Sequence, residues 1–335
     1  MRLFFTCGDC NGIGPEIVVK TLSVFYKKKR HKLYFAVPKN VFEETLKTLL
    51  PIPNLRDGIE YEFVKTPEQS SPQKNIVSII NLGNAKHIFG KPTRLSGEIA
   101  FRALQESFHA VENNYADCII TAPISKDAFH KAGIEFPGHT ELFASWTNTE
   151  NVVMFFHSTK IKAALLTIHI PLKTVSFSLD KNLIRKKLNI VIDTLKKDFK
   201  IENPRIALLG VNPHAGENGL LGNEEEDIFS PLLDEFKEQV YGPFPADAFF
   251  GMHAYKLFDA VVGAYHDQVL IPFKMLSFSD GVNFTAGLPI VRTSPDHGTA
   301  YDIAGKGVAD PASMIHAAKL AVLICENRMK NAAAP

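Results

Sequence analysis

Three histidines stand directly after apolar segments that have the composition of buried β-strands. His169 ends AALLTIH, His214 follows RIALLGV in the loop NPHAGENG, and His266 ends AVVGAYH. If these segments are parallel strands, the histidines lie at the carboxyl edge of the sheet, where open α/β folds place their ligand sites. Three imidazoles suit a divalent ion of the zinc type and leave a position open for substrate. The alternative is that each histidine is a hydrogen-bonded structural residue.

A second group of residues has the chemistry of an anion site. In FPGHTELF, Thr140 is predicted to cap a helix that has Glu141 in its first turn, and helix starts of this kind bind anions. Lys274 and Arg292 follow apolar, strand-like segments and could clamp a phosphate or a carboxylate. Solvated cations at strand ends are the alternative. The candidate contacts of the anion are His139, Thr140, Lys274, Asn283 and Arg292.

Two glycine-rich loops stand near opposite ends of the chain, CGDCNGIGPE (7–16) and DHGTAYDIAGKG (296–307). Gly8, Gly12 and Gly14 do not have the G-x-G-x-x-G spacing, which excludes an orthodox Rossmann fingerprint. The later loop combines a His-Gly-Thr turn with Asp302, a carboxylate of the kind that accepts hydrogen bonds from ribose hydroxyls.

These residues need a scaffold, and the chain alternates short apolar segments with amphipathic ones, as doubly wound α/β proteins do. Helical spacing of apolar residues is clearest in TRLSGEIAFRALQESFHAVEN and in KNLIRKKLNIVIDTLKKDF. The predicted strands are RLFFTC, KLYFAV, NIVSIINL, DCIITAP, AALLTIHI (163–170), RIALLGV (205–211) and AVVGAYH (260–266). The pattern predicts a sheet whose carboxyl edge carries the candidate site.

Composition narrows the class of protein. The net charge of +1 argues against a nucleic-acid or membrane-surface partner. No apolar run approaches the length of a bilayer span, and the amino-terminal MRLFF is too short for a signal peptide, so we expect a cytoplasmic protein. Four cysteines in 335 residues do not form a disulfide framework, and Cys7 and Cys10 are interpreted as thiols of a tight loop.

Several longer motifs resemble known families. GDCNGIGPE and HGTAYDIAGKG are similar to the glycine-rich and adenosine-binding loops of the isocitrate and isopropylmalate dehydrogenases. TAPISK, PGHTE, VNPHAGENG, YHDQVLIPFK and GVNFTAGLPIVRTSPDHGTAYDIAGKG resemble the narrower 4-hydroxythreonine-4-phosphate dehydrogenase family of vitamin B6 biosynthesis. The match runs in order from Gly8 to about Gly307. Family members commonly have Pro-Ala where this chain has Cys10-Asn11.

The resemblance implies an activity. We expect NAD(P)-dependent oxidation of the C3 hydroxyl of 4-(phosphooxy)-L-threonine, followed by loss of CO₂ from the β-keto acid to give 3-amino-2-oxopropyl phosphate. It implies a divalent metal, zinc with magnesium or cobalt as alternatives, held by His169, His214 and His266. The phosphorylated substrate would contact the five candidate anion-binding residues, which are His139, Thr140, Lys274, Asn283 and Arg292. The implied cofactor-binding residues are Gly12, Gly14, His297, Gly298, Thr299 and Asp302.

The resemblance also implies an architecture: two α/β/α lobes of the isocitrate/isopropylmalate dehydrogenase type, with the active site in the cleft between them. We expect residues 1–130 together with 300–335 to form the cofactor-side lobe, and residues 131–299 to form the lobe for metal, substrate and dimerisation. A homodimer is implied, with the active site shared between subunits. His169 and His214 would come from one chain and His266 from its partner.

Catalytic roles are less sharply defined by sequence. Asp267, next to His266, is predicted to orient a ligand or to polarise bound substrate. Lys126, Asp247 and a water on the metal are alternative general bases, and Asp247 could instead cap the helix that follows it. Asp302 predicts NAD in preference to NADP, because a 2′-phosphate would meet a carboxylate there unless Lys306 offsets it.

Two other functions fit the same residues. Related enzymes oxidise phosphorylated four-carbon sugar acids, such as erythronate or D-threonate phosphate, with the same metal and phosphate residues. A metal-stabilised binding protein that has lost turnover is the remaining alternative. The adenosine-type loop argues against it, because a protein that only binds its ligand has no need of such a loop.

Overall fold

The computed structural model describes residues 1–50 and 58–332, which form two compact units. One unit comprises Met1–Phe143 and Ile290–Cys325, and the other comprises Ala144–Pro289 with the described residues from Glu326 onward. The sequence placed the divisions at residues 130/131 and 299/300. The roles expected for the two lobes stay predictions.

Strands and helices alternate along the chain. The strands are β1 (Arg2–Thr6), β2 (Lys32–Val37), β3 (Tyr61–Val64), β4 (Val77–Asn81), β5 (Cys118–Thr121), β6 (Val153–His157), β7 (Lys162–Leu165), β8 (Ile206–Leu209), β9 (Val240–Phe244), β10 (Ala260–Gly263), β11 (Val282–Ala286) and β12 (Arg292–Pro295). The helices are α1 (Gly14–Tyr26), α2 (Lys39–Leu49), α3 (Arg94–Glu112), α4 (Lys126–Lys131), α5 (His139–Trp146), α6 (Val175–Ser178), α7 (Lys181–Lys197), α8 (Ser230–Glu235), α9 (Ala246–Gly251), α10 (His266–Ser277) and α11 (Ala312–Ala332). The α/β class predicted from the alternating pattern is confirmed.

The first unit is built on a parallel sheet with strand order β3-β4-β2-β1-β5-β12. β2 reads KLYFAV and is buried along its whole length, which is typical of parallel strands covered on both faces. Helix α3 approaches α4 so closely that a Cβ atom on Gly97 would lie 2.2 Å from the carbonyl oxygen of Ala128. Glycine is therefore required where these two helices cross.

The second unit is built on a mixed sheet with strand order β11-β6-β7-β10-β8-β9. β6 is antiparallel to β11 and β7, whereas β10 is parallel to both β7 and β8. The core packs α10 against this sheet, with the rings of Phe156 and Phe273 5.5 Å apart. The carboxyl ends of β7, β10 and β8 consequently lie side by side at one edge.

The two helices with the clearest periodicity are confirmed, as α3 and α7. The predicted strands 163–170, 205–211 and 260–266 are too long: they end at Leu165, Leu209 and Gly263. The histidines therefore lie three to five residues beyond the strands, in loops or at a helix start. Lys274 does not follow a strand, because the apolar run before it belongs to α10.

Among the described residues, no helix combines the length and the apolar composition that crossing a bilayer requires.

The end of α11 is held by a buried ion pair. Both Nε and Nη2 of Arg328 donate to the carboxylate of Asp198, at 2.7 and 3.0 Å, and the Asp198 side chain is only 3% exposed. Nη1 of Arg328 also donates to the carbonyl oxygen of Leu288 at 3.2 Å. Among the described residues, the ion pair that Asp198 makes is with this guanidinium.

We expect Arg328→Ala to lower the free energy of unfolding by about 3 kcal/mol, because it leaves the Asp198 carboxylate buried without its partner. The matched control is Arg94→Ala, which removes an ion pair to Glu98 whose side chains are 77% and 40% exposed. That change is expected to cost about 0.5 kcal/mol. Urea unfolding followed by circular dichroism measures both, and equal losses would contradict the prediction.

Candidate functional site

The three predicted metal ligands follow three adjacent strands of the second unit. His169 comes four residues after the end of β7, His214 lies in the loop after β8, and His266 is the first residue of α10. The imidazole rings of His169 and His266 have their centroids 5.8 Å apart. Two imidazoles bound to one zinc ion have centroids roughly 5 Å apart, given Zn–N bonds of about 2 Å. The separation therefore fits a shared ion.

His214 does not join this pair within one chain. Among the described residues, no group of three His, Cys, Asp or Glu side chains is close enough to hold a metal ion. The role of the three histidines as ligands of one ion therefore stays a prediction.

A cleft of about 320 Å³ opens beside His169 and His266. The Oδ1 atom of Asp267 lies 2.7 Å from Nδ1 of His266. If Nδ1 carries the proton and donates it to this carboxylate, Nε2 of His266 is left as the lone-pair nitrogen that a metal binds. The geometry suits the orienting role predicted for Asp267. The residues lining the cleft are Ile168, His169, Ile170, Leu172, Val175, Tyr265, His266 and Asp267.

Hydrogen bonds connect the three loops that carry the histidines. The carbonyl oxygen of Ala264 accepts two hydrogen bonds from Thr167, one from the backbone amide at 3.1 Å and one from the side-chain hydroxyl at 2.6 Å. The amide of Ala264 donates to Oε1 of Gln268 at 2.7 Å, and Nε2 of Gln268 donates to the carbonyl of Gly210 at 2.6 Å. The loops after β7, β10 and β8 are therefore joined through Ala264 and Gln268, two residues that sequence reasoning did not select.

The backbone around His214 is unusual. All six residues 214–219 have positive φ, and four of them are not glycine: His214, Ala215, Glu217 and Asn218, at 54°, 52°, 45° and 56°. The left-handed conformation costs roughly 1–2 kcal/mol for each non-glycine residue, although asparagine tolerates it better. Strain of this kind persists only where the surroundings hold it, and it is often found at functional sites.

The other predicted residues of the second unit are more dispersed. Asp247 lies exposed in the first turn of α9, where the N-cap is Pro245, so the alternative role of Asp247 as a cap is wrong. Lys274 is half-buried on α10, and Asn283 is half-buried on β11. The Oδ1 atom of Asn283 is buried and has no hydrogen-bond partner among the described residues, so it remains available to a ligand.

The anion group of the first unit is centred on Arg292, at the start of β12. Its side chain is buried, with Nε and Nη2 donating to the hydroxyl of Thr121 at 3.1 and 2.7 Å. Burial lowers the pKa of Arg292 to about 9, although the carboxylate of Glu141 acts in the opposite direction. A bound anion would favour the charged form of this buried guanidinium.

His139 is the neighbour of this guanidinium. Nη2 of Arg292 lies 2.9 Å from Nδ1 of His139, and because a guanidinium can only donate, Nδ1 is the acceptor. Burial and the positive charge of Arg292 hold the pKa of His139 well below its usual range, so the ring is neutral with its proton on Nε2. That N–H group is buried and has no partner among the described residues. It is therefore a buried donor, and its expected contact with an anion stays a prediction.

Thr140 does not cap α5, because the helix already includes His139 and places Thr140 at its second position. The prediction of Glu141 in the first turn is confirmed. Lys126, a candidate general base, is exposed at the start of α4, where Ser125 caps the helix by accepting a hydrogen bond from the amide of Ala128.

The two glycine-rich loops of the first unit lie against each other. The amide of Ile13 donates to the carbonyl of Thr299 at 3.0 Å, and a Cβ atom on Gly12 would lie 2.7 Å from that oxygen. Gly14 is equally constrained, since its Cβ would lie 2.1 Å from the carbonyl oxygen of Cys7. These glycines permit the close approach of two loops that sequence separates by almost the whole chain.

A buried carboxylate that sequence reasoning missed fastens these loops. Asp9 accepts hydrogen bonds from the amide of Asn11 at 2.9 Å, the hydroxyl of Ser96 at 3.0 Å and the hydroxyl of Tyr301 at 2.8 Å. Burial raises the pKa of Asp9, and these bonds oppose the rise. Asn11 donates its side-chain amide to the carbonyl of Lys91 at 2.9 Å.

The remaining predicted cofactor residues lie in the later loop. Nε2 of His297 is buried and has no partner among the described residues, and a Cβ atom on Gly298 would meet open space. The side chain of Asp302 is exposed, and Nζ of Lys306 donates to the Asp302 backbone carbonyl at 2.7 Å. Lys306 is therefore held next to Asp302, as the sequence allowed, and their effect on cofactor choice stays a prediction.

The chain was compared with known proteins. The family model described as pyridoxal phosphate biosynthetic protein PdxA matches residues 28–321. A protein of Bacteroides thetaiotaomicron named 4-hydroxythreonine-4-phosphate dehydrogenase is 39% identical, over 100% of this chain and 91% of its own length. A protein of the same name from Desulforapulum autotrophicum is 40% identical, over 95% of this chain and 94% of its own length.

Solved structures agree with this relationship. The crystal structure of 4-hydroxythreonine-4-phosphate dehydrogenase from Klebsiella pneumoniae superposes with a TM-score of 0.82 at 35% identity, over 97% of this chain and 98% of that one. A terephthalate 1,2-cis-dihydrodiol dehydrogenase from Burkholderia xenovorans, 23% identical over 96% of this chain and 98% of that one, has a TM-score of 0.63. At that identity the second structure shows a shared fold alone.

The neutral state of His139 predicts a pH dependence of stability. An unfolded histidine titrates near pH 6.5, so below about that pH the unfolded chain binds a proton that the folded chain does not. The folded state should therefore lose stability relative to His139→Gln as the pH falls from about 7.5 to 5.5, by at most about 1.4 kcal/mol per pH unit. Urea unfolding at both pH values measures the difference.

The control is His130→Gln, which replaces an exposed histidine of α4. Its free energy of unfolding is expected to follow that of the parent at both pH values. If His139→Gln follows the parent as closely as this control does, the neutral, buried state of His139 is contradicted.

Proposed function

The chain belongs to the PdxA family of pyridoxal phosphate biosynthetic proteins, and from this membership we propose that it is a 4-hydroxythreonine-4-phosphate dehydrogenase. It oxidises the C3 hydroxyl of 4-(phosphooxy)-L-threonine with a nicotinamide cofactor. The product, 2-amino-3-oxo-4-(phosphooxy)butanoate, loses CO₂ to give 3-amino-2-oxopropyl phosphate. The observation that carries the proposal is similarity along the whole chain to relatives of that name. We expect the enzyme to act in the cytoplasm.

The buried guanidinium of Arg292 supports a phosphorylated substrate. A phosphate next to it would favour the charged guanidinium in this buried position. It would also accept the N–H at Nε2 of His139, which has no partner among the described residues. Thr140, the next residue of α5, is our third contact in this unit. Binding at the phosphate, a group that takes no part in the oxidation, orients the reacting carbon C3. Lys274 and Asn283 keep their predicted role as further substrate contacts.

We propose His169, His214 and His266 as the ligands of a divalent ion, with zinc preferred because all three donors are imidazoles. When bound, such an ion lowers the pKa of a substrate hydroxyl and stabilises negative charge on its oxygen. Asp267 fixes the ring of His266, as its 2.7 Å contact indicates. Lys126 and Asp247, both exposed, remain alternative acceptors of the hydroxyl proton.

A second copy of the chain is proposed to complete the metal set. α10 begins with His266, and one of its faces exposes Ile271, Met275 and, just past its end, Phe278, at 57%, 83% and 83%. Residues at this spacing share one side of a helix, and an apolar stripe of this kind is typical of a protein interface. A homodimer that covers this face would bring the partner subunit to the helix that carries His266.

The cofactor residues proposed for the first unit are Gly12, Gly14, His297, Gly298, Thr299 and Asp302. Their support is the contact between the two glycine-rich loops and the unpartnered Nε2 of His297. NAD in preference to NADP is our proposal, because the exposed carboxylate of Asp302 would repel a 2′-phosphate.

The activity is tested by the growth of NADH absorbance with the purified full-length chain and 4-(phosphooxy)-L-threonine. We expect turnover that a chelator abolishes and added Zn²⁺ or Co²⁺ restores, because the hydroxyl must lose its proton as hydride leaves. The unphosphorylated amino acid is the matched control and should react with a far higher KM. Turnover of 4-phosphoerythronate alone would replace the proposed substrate by a phosphorylated sugar acid. Metal binding without turnover of either would favour a binding protein.

Hybrid dimers test whether subunits share the site. Each of the variants His169→Ala, His214→Ala and His266→Ala should be inactive alone. The family resemblance predicts recovery when His169→Ala is mixed with His266→Ala, because one site of the hybrid then has all three ligands. The proximity of His169 and His266 within one chain favours a different arrangement, in which these two histidines come from one subunit and His214 comes from its partner. In that case activity should recover when His169→Ala is mixed with His214→Ala. No recovery in either mixture, after subunit exchange is verified, argues against a shared site.

A further inference from the structure

One buried carboxylate organises the loop that carries His214. The side chain of Glu225 is 3% exposed and accepts hydrogen bonds from the amide of Val211 at 2.7 Å and from the amide of Asn212 at 2.8 Å. Its second oxygen accepts the side-chain amide of Asn212 at 2.9 Å. Glu225 lies eleven positions after His214 in sequence, in a single π-helical turn (Glu225–Phe229), yet it binds the segment just before that histidine.

The chain passes closely around this carboxylate. A Cβ atom on Gly210 would lie 3.1 Å from Oε1 of Glu225, and one on Gly216 would lie 2.8 Å from Oε2. Glycines therefore stand where a larger residue would displace the carboxylate. The carboxylate of Glu225 therefore packs against the loop both before His214, at residues 210–212, and after it, at Gly216.

The neighbouring Glu224 also binds the loop, through Asn212. Its carboxylate accepts the side-chain amide of Asn212 at 2.7 Å and the hydroxyl of Ser176, and these bonds lower the pKa of Glu224. Asn212 is thus held by two carboxylates at once, two residues before His214.

We propose that Glu225 is a positioning residue that holds His214 in the orientation needed to bind the metal ion. The proposal rests on the proposed function, in which His214 is a ligand. Without the carboxylate, two backbone N–H groups lose their acceptor, and the left-handed run 214–219 loses its anchor. The loop would then populate other conformations in which His214 points elsewhere. We assign Glu225 an orienting role and not that of a ligand, because its contacts with the loop are to the backbone amides of Val211 and Asn212 and to the side chain of Asn212.

Metal affinity of the full-length, metal-free protein is the direct test, measured with Zn²⁺ or Co²⁺ against a chromophoric chelator. We expect Glu225→Ala to weaken binding by about 10–100-fold, the usual effect of removing a residue that orients a ligand. Glu225→Gln should be intermediate: one oxygen still accepts the backbone amides, but its NH₂ group faces the amide of Asn212. The visible spectrum of bound Co²⁺ should change in both variants, since a loosely held imidazole alters the coordination geometry.

The matched control is Glu226→Ala, which removes the next carboxylate of the same turn, an exposed one, and should bind metal as the parent does. A saturating metal concentration should restore much of the turnover of Glu225→Ala, which a general loss of folding would not allow. If Glu225→Ala does not fold, Glu225→Gln gives the same comparison.

Two outcomes would overturn the inference, and they are distinguishable. Parent-like affinity and spectrum in the Glu225 variants, with loss of binding in His214→Ala, would overturn the role of Glu225 alone and leave the ligand set intact. Parent-like affinity in His214→Ala would overturn the ligand set, and the role of Glu225 with it.

Discussion

The backbone of Ala264 joins the loops on which the candidate metal site depends. Its carbonyl oxygen accepts hydrogen bonds from Thr167, and its neighbouring amide reaches Gln268, which in turn binds Gly210. These contacts exist only because β10 lies between β7 and β8 with all three strands parallel. A different strand order would leave the three histidine loops without common partners. The placement of the three histidine loops therefore depends on the order and direction of these strands.

Sequence was most informative where one periodicity dominates. The apolar spacing in α3 and α7 extends over many turns, and both helices were predicted closely. Strand ends were predicted too late, because an apolar residue continues a strand only while a neighbouring strand offers hydrogen bonds. Beyond Gly263, the carbonyl oxygen of Ala264 accepts a hydrogen bond from Thr167, and the amide of Ala264 donates one to the side chain of Gln268. Helix α10 then starts at His266. Such a switch is decided by partners distant in the chain.

The residues that sequence reasoning missed have a common cause. Glu225 belongs to NEEED, which reads as a solvated acidic run, and Asp9 lies in a loop that was selected for its glycines. Both carboxylates are buried, and their acceptor roles depend on groups brought to them by folding: backbone amides for Glu225, and Ser96 and Tyr301 for Asp9. Conversely, histidines and cations that could bind metal or phosphate were found from type and place alone. Their neighbours, such as Thr121 beside Arg292, were not.

The left-handed run at residues 214–219 also bears on how this segment can change during evolution. A β-branched side chain at Ala215 or Glu217 would be confined to a backbone conformation that such residues strongly avoid, whereas asparagine and glycine are accommodated there. Glu226 and Asp227, exposed a few positions later, face no such restriction. Within a stretch of fourteen residues, 214–227, substitutions should therefore accumulate at very different rates. Neutral drift would be freer at the exposed positions of the turn, while the left-handed run would accept few types of residue.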